Sequence, residues 1–184
     1  MAEAATVFDT GRGSHRVLRT FGFVDIGGFT AYANNEGDDR AVEQLSEFRT
    51  IVRRVGSATG IRIAKWLGDG AMLVGLEPVP LVSAVLDIMR HMRNAELDLP
   101  LHAGLAQGRT ILFEGDDHIG STVNLAARLA DVAGPWQIFA PTDTMPGIAN
   151  TDAPIGDLEI AGFPDPINVA DLSRVEALIR TWDL

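Results

Sequence analysis

Cysteine is absent from the 184-residue chain, which excludes disulfides, thiolate catalysis and cysteine-based zinc sites. Positive charge is scarce: 15 Lys and Arg face 25 Asp and Glu, a net charge of −10. That balance argues against general nucleic-acid binding, which needs Lys/Arg-rich surfaces. An acidic enzyme still binds nucleotides when metal ions and a few local basic residues neutralise the phosphates. No window approaches eighteen consecutive apolar residues, so no membrane span is expected. Residues 1–16 hold Glu3, Asp9, Arg12 and His15 and no apolar stretch, so no signal peptide is expected either. Internal repeats and low-complexity segments are also missing. What remains is ordinary globular material, 46% hydrophobic and 22% charged, enough for one cored domain. The expectation is a soluble cytoplasmic protein with a flexible tail over 1–16 and one domain over 17–184.

The chain is organised around Phe21-Gly-Phe-Val-Asp25-Ile-Gly-Gly-Phe-Thr30. An apolar run of strand type, over about 17–26, carries one carboxylate near its end and passes through Gly27-Gly28 into a helically periodic segment. A carboxylate at the end of a buried strand is costly unless something positive offsets it. The glycines allow close backbone approach, and a helix start favours anions. The stretch thus offers a cation site beside a phosphate site; a turn-forming Asp before a Gly-Gly turn is the plainer reading.

Further along, Val42, Leu45, Phe48, Ile51, Val52 and Val55 predict an amphipathic helix over 38–56. Alternation over 61–66, the Gly68-Asp69-Gly70 turn and apolar 71–76 predict a hairpin. Pro78 and Pro80 open a second helix, and a strand starts at Leu101. Residues 109–119 form a second hairpin or extended arm, 120–133 a third helix stopped by Gly134-Pro135, and 136–140 a short strand. Residues 141–150 suggest a helical turn or two. A strand pair at 157–160 and 167–172 and a terminal helix over 173–182 close the chain. The order predicts an α+β fold: a ferredoxin-like βαββαβ core, its sheet carrying helices on one face, with additional C-terminal strands and a helix.

In that topology the end of the first strand and the tip of the central hairpin are neighbours, which brings Asp25 and Asp69 together. Two carboxylates there repel unless they share cations, and hard oxygen ligands with open positions suit Mg²⁺ or Mn²⁺. Lys65 lies four residues before Asp69; alone it reads as an edge lysine that blocks sheet aggregation. Asn124 and Arg128 are four apart, on one face of an otherwise apolar helix. They serve either an internal polar contact or, as an amide and an Arg fork, ribose and phosphate. Arg109 is a candidate phosphate ligand or a solvated arm residue, and Asp117 a turn aspartate if taken alone.

Together, Phe23-Val-Asp25-Ile-Gly-Gly-Phe-Thr30, Lys65-Trp-Leu-Gly-Asp69 and Asp117-His-Ile-Gly-Ser-Thr-Val-Asn124-Leu-Ala-Ala-Arg128 resemble the signature segments of class III nucleotidyl cyclases. They stand in family order, and the resemblance covers about residues 19–172. It implies an adenylate cyclase making 3′,5′-cyclic AMP and pyrophosphate from ATP with two Mg²⁺ or Mn²⁺ ions. Asp25, Asp69 and the backbone carbonyl of Ile26 would be the metal ligands, with Phe29 and Thr30 among the substrate-binding positions. Lys65 would donate to adenine N1 and Asp117 accept from the exocyclic amine; guanylyl members usually hold Glu and a small residue there. Asn124 would orient the ribose, Arg128 would stabilise charge on the α-phosphate, and Arg109 matches a second phosphate-binding arginine. In the family the metal aspartates and the Lys/Asp/Asn/Arg set come from opposite protomers, so a homodimer with two shared sites is implied. Trp66 and Trp136 are bulkier than the family's usual residues at those places. A non-catalytic cyclase-like nucleotide-binding or regulatory module is the alternative, as is an unrelated ferredoxin-like scaffold.

Overall fold

The computed structural model describes residues 16–95, 97–113, 117–143 and 154–174. They form β1 (Arg16–Ile26), α1 (Phe29–Glu36), α2 (Asp38–Thr59), β2 (Arg62–Leu67), β3 (Gly70–Gly75), α3 (Pro78–Asn94), β4 (Leu101–Phe113), β5 (Asp117–Ile119), α4 (Ser121–Val132), β6 (Ile138–Pro141), β7 (Pro154–Leu158) and β8 (Ile167–Asp171). A 3-10 turn at Leu172–Arg174 follows. The sheet runs β2-β3-β1-β4-β6-β8-β7, with β5 paired to β4. Its first four strands pair antiparallel throughout, the ferredoxin-like arrangement expected of the α+β core. β6 then joins β4 in parallel, and β8 and β7 extend the sheet antiparallel.

Side chains alternate across β1 and so divide the core in two. Val24 and Ile26 pack with Phe48 and Ile51 of α2 and with Leu81, Val85 and Ile88 of α3. Phe21 and Phe23 pack on the other face with Leu125, Ala126 and Leu129 of α4. Each such side chain, fully buried, contributes about 1.5–3 kcal/mol. The helices of the βαββαβ core thus share one face as expected, while α4 covers the opposite one. That opposite face carries Asp25.

Several boundaries differ from those the pattern predicts. The segment after Gly28 is two helices broken at Gly37, whose φ of 90 lies outside the helical region; α1 buries no residue, so the apolar pattern carries no signal of it. β4 runs unbroken from Leu101 through Gly108 to Phe113, and β5 folds back on its far end. β6 begins at Ile138, not Trp136: Trp136 has φ 62, and its N–H donates to the Leu101 carbonyl in a tight turn. β7 covers Pro154–Leu158 instead of 157–160, since Ile160 turns away to pack in the second core. Of the tail predicted over 1–16, Arg16 already belongs to β1; the rest of it lies outside the described residues, as do 144–150 of the helical turn predicted in 141–150 and 175–182 of the terminal helix predicted over 173–182. Among the described residues no helix is long and apolar enough to cross a membrane.

Candidate active site

Asp25 lies next to the end of β1, opposite Gly70 on β3 and His102 on β4. The hairpin of β2 and β3 turns through Gly68-Asp69, so Asp69 arrives beside Asp25 by register alone. Gly70 makes the approach possible: a Cβ there would stand 2.5 Å from Asp25 Oδ1 and 2.9 Å from the Val24 carbonyl. Any larger residue would displace the carboxylate.

Burial and the neighbouring Asp69 carboxylate push Asp25 up to about 6, against opposing pulls from His102 and the Ile26 N–H. His102 was missed by sequence reasoning, where it is one polar residue in an apolar strand; only the Asp25–His102 register exposes it. Its Nδ1 lies 2.8 Å from the Ala130 carbonyl, which can only accept, so Nδ1 carries a proton. Its Nε2 is then turned to Asp25 Oδ2, 3.8 Å away.

Above these groups, Asn124 and Arg128 on α4 line one cavity of ≈ 800 Å³ together with Asp25, Asp69, His102 and Asp131. Arg128 Nη1 is bound to Asp131 at 2.9 Å, a pair one helical turn apart that sequence reasoning also missed. Three carboxylates against one guanidinium leave the cavity negative in the absence of cations. Asp25 and Asp69 offer oxygen donors, and the absence of a Cβ at Gly70 leaves the Asp25 carboxylate room, which fits a hard divalent ion. Among the described residues no cluster of three His, Asp or Glu side chains converges on a metal position. Two aspartates would therefore leave ligand positions open, as suits Mg²⁺ or Mn²⁺ carried with a phosphate substrate.

Lys65 and Asp117 meet in an ion pair, each about half exposed, although 52 residues separate them. Neither lines the cavity of the aspartates. Arg109 is exposed and paired in register with Leu18, so alternation sends it to the face opposite Asp25. Phe29 and Thr30 begin α1 after the left-handed Gly28, with Phe29 packed on the first core and Thr30 exposed. Ile26 is buried at the last position of β1. One chain therefore assembles Asp25, Asp69, Asn124 and Arg128, and sets Lys65 with Asp117 and Arg109 elsewhere.

The raised Asp25 pKa has a signed consequence for stability. The folded protein holds this proton up to about pH 6 and the unfolded chain only to about 4. Stability contributed by the neutral form is complete below the unfolded value and is lost as pH rises between the two. With the side chain 41% exposed, the loss is discounted to about 1–2 kcal/mol. In EDTA, urea midpoints from pH 4 to 7 should fall more steeply for wild type than for Asp25→Asn. Parallel profiles would remove this account.

No protein-family model matches the chain. It is similar to an uncharacterized protein of Mycobacterium tuberculosis, 34% identical over 175 residues, which cover 94% of this chain and 46% of that protein. A Streptomyces coelicolor protein named adenylate cyclase is 28% identical over 159 residues, covering 85% of this chain and 42% of that one. The chain thus spans less than half the length of these curated relatives. Among solved structures, an adenylyl cyclase from P. aeruginosa superposes with a TM-score of 0.77 at 23% identity, over 85% of this chain and 94% of that one. The guanylate cyclase domain from Catenaria anguillulae in complex with GTP gives 0.73 at 19% identity, over 84% and 95%.

Proposed function

This chain has the class III nucleotidyl cyclase fold, and on that premise we propose that it converts ATP to 3′,5′-cyclic AMP and pyrophosphate. The observation that carries the proposal is the meeting of the Asp25 and Asp69 carboxylates where the end of β1 adjoins the tip of the hairpin. In the reaction the ribose 3′-oxygen loses its proton to solvent and bonds to the α-phosphorus, while the bond from that phosphorus to the oxygen bridging to the β-phosphate breaks and pyrophosphate leaves. When bound, two divalent cations supply the charge that acidifies the 3′-hydroxyl and neutralises the triphosphate. Asp25 and Asp69 would hold them, with the Ile26 carbonyl as a further ligand. Asn124 would hold the ribose in line. Arg128 would leave Asp131 for the α-phosphate, where a planar fork matches the oxygens that gain charge. No side chain is assigned as a dedicated base; positioning and charge stabilisation carry the step. The backbone N–H groups of Phe29 and Thr30 at the start of α1 would meet the phosphates, whereas Arg109, on the other face of the sheet, is assigned no phosphate contact. We place two such sites on a homodimer, each shared between protomers. Purified protein given ATP and Mn²⁺ should form cyclic AMP; none at any metal concentration would leave a non-catalytic module as the better account.

The ion pair of Lys65 with Asp117 presents a donor beside an acceptor, the pattern adenine complements and guanine reverses. Lys65→Ala should therefore lower discrimination against GTP. An unmatched polar contact is worth about 1–3 kcal/mol, or roughly 5–150-fold, and the half-exposed pair points to the low end. ATP and GTP turnover in wild type and variant measure it. A wild type that uses both equally would show that these residues do not read the purine.

A further inference from the structure

Trp66 follows Lys65 in β2, and strand alternation sends the two to opposite faces. Lys65 reaches Asp117, whereas Trp66 packs against α2, with Phe48 edge-on to its ring at 6.3 Å. Two guanidiniums stand over the indole, those of Arg49 and Arg53, each 5.1 Å from the ring centroid. Arg53 is exposed, while Arg49 is half-buried, and its Nε is shielded from solvent with no hydrogen-bond partner among the described residues. Its Nη2 donates to the Gly68 carbonyl at 3.0 Å.

That carbonyl belongs to the peptide joining Gly68 to Asp69, the central peptide of a two-residue hairpin turn. Gly68 has φ 65 and Asp69 is not among the residues with positive φ, which matches the II′ turn with glycine first. Rotating this one peptide converts II′ to I′ and carries Asp69 to positive φ, a conformation aspartate tolerates well. The flip would turn the Asp69 side chain to a new direction and move the Gly68 oxygen away from Arg49. The sequence alone therefore leaves the turn two choices, and a donor fixed at the Gly68 oxygen selects one.

We propose that Arg49, stacked on Trp66, is a positioning residue that locks the Gly68–Asp69 peptide and so aims the Asp69 carboxylate at the cavity it shares with Asp25. This rests on the assignment of Asp69 as a metal ligand. Outer partners of metal ligands typically change metal affinity 10–100-fold, so Arg49→Met, which keeps the stem and removes the donors, should weaken Mn²⁺ binding roughly tenfold. Arg49→Lys keeps a donor for Gly68 and should recover part of the loss. Arg53→Met removes the other stacked cation without touching the turn and should bind Mn²⁺ within about twofold of wild type.

The experiment is Mn²⁺ titration of the nucleotide-free protein followed by electron paramagnetic resonance, with thermal unfolding in EDTA on the same samples. Asp69→Asn is the reference. Weaker binding in Arg49→Met and Asp69→Asn, with recovery in Arg49→Lys and none lost in Arg53→Met, supports the lock. If Asp69→Asn loses Mn²⁺ while Arg49→Met binds as wild type, the lock is overturned and the metal assignment stands. If Asp69→Asn itself binds Mn²⁺ normally, the metal assignment falls and takes the lock with it. Should Arg49→Met melt below the assay temperature, Arg49→Lys and Trp66→Phe decide in its place: both retaining wild-type Mn²⁺ affinity would overturn the lock, and a loss in either would support it.

Discussion

Asp25→Asn is expected to leave the protein folded and to reduce cyclic AMP formation below about one-hundredth of wild type, since even the outer partners of metal ligands typically cost 10–100-fold. The fold should survive because asparagine has the shape of the aspartate it replaces. Its amide oxygen can keep the Ile26 N–H that Asp25 accepts. The Gly70 notch holds the same volume as before. A neutral amide also escapes the burial cost and the repulsion from Asp69 that raise the Asp25 pKa, so the metal-free variant should be at least as stable as wild type above pH 6. Activity and stability are thus expected to move in opposite directions, a signature that simple misfolding does not produce. The decisive comparison is turnover at saturating Mn²⁺ alongside the urea midpoint in EDTA. Near-normal turnover in a folded Asp25→Asn would end the two-metal proposal.

How much of this was legible in sequence depends on how local each signal is. The βαββαβ core could be read because its helices α2 and α3 carry long apolar stripes and its hairpin a Gly-Asp-Gly turn. The meeting of Asp25 and Asp69 followed from topology, since a strand end and a neighbouring hairpin tip share one edge of the sheet. α1 was not legible: eight residues with none buried give no periodicity to detect. Nor was His102, whose place beside Asp25 is a matter of register between strands some 77 positions apart. The ion pair of Lys65 with Asp117 spans elements that do not adjoin in the sheet, and no spacing rule foretells it. Resemblance to a family named those two residues as partners in one task before geometry paired them. Trp66 was visible only as a misfit of size; its contact with Arg49 gives that size a use.

The site residues fall into two groups within one chain. Asp25, Asp69, Asn124 and Arg128 line one cavity of a single chain, yet Lys65 and Asp117 stand outside it. If a nucleotide bound within one chain, its phosphates would lie among the aspartates with no purine contact from that ion pair. In the shared arrangement, a two-fold axis carries the partner's helix α4 and ion pair to the aspartates of the first chain. Asp25→Ala and Arg128→Ala should then each be nearly inactive alone. When the two are mixed and allowed to exchange subunits, half the dimers are heterodimers, each with one intact site and one doubly damaged. Activity should rise to roughly a quarter of wild type by random two-fold pairing. A site built inside one chain gives no such recovery, because every chain in the mixture lacks one of the two residues. Both variants must be folded, dimeric and exchanging, which sedimentation and a subunit-exchange assay establish beforehand. A mixture that stays inactive under those conditions would assign the reaction to the single-chain cavity and leave Lys65 and Asp117 without a role in reading the base.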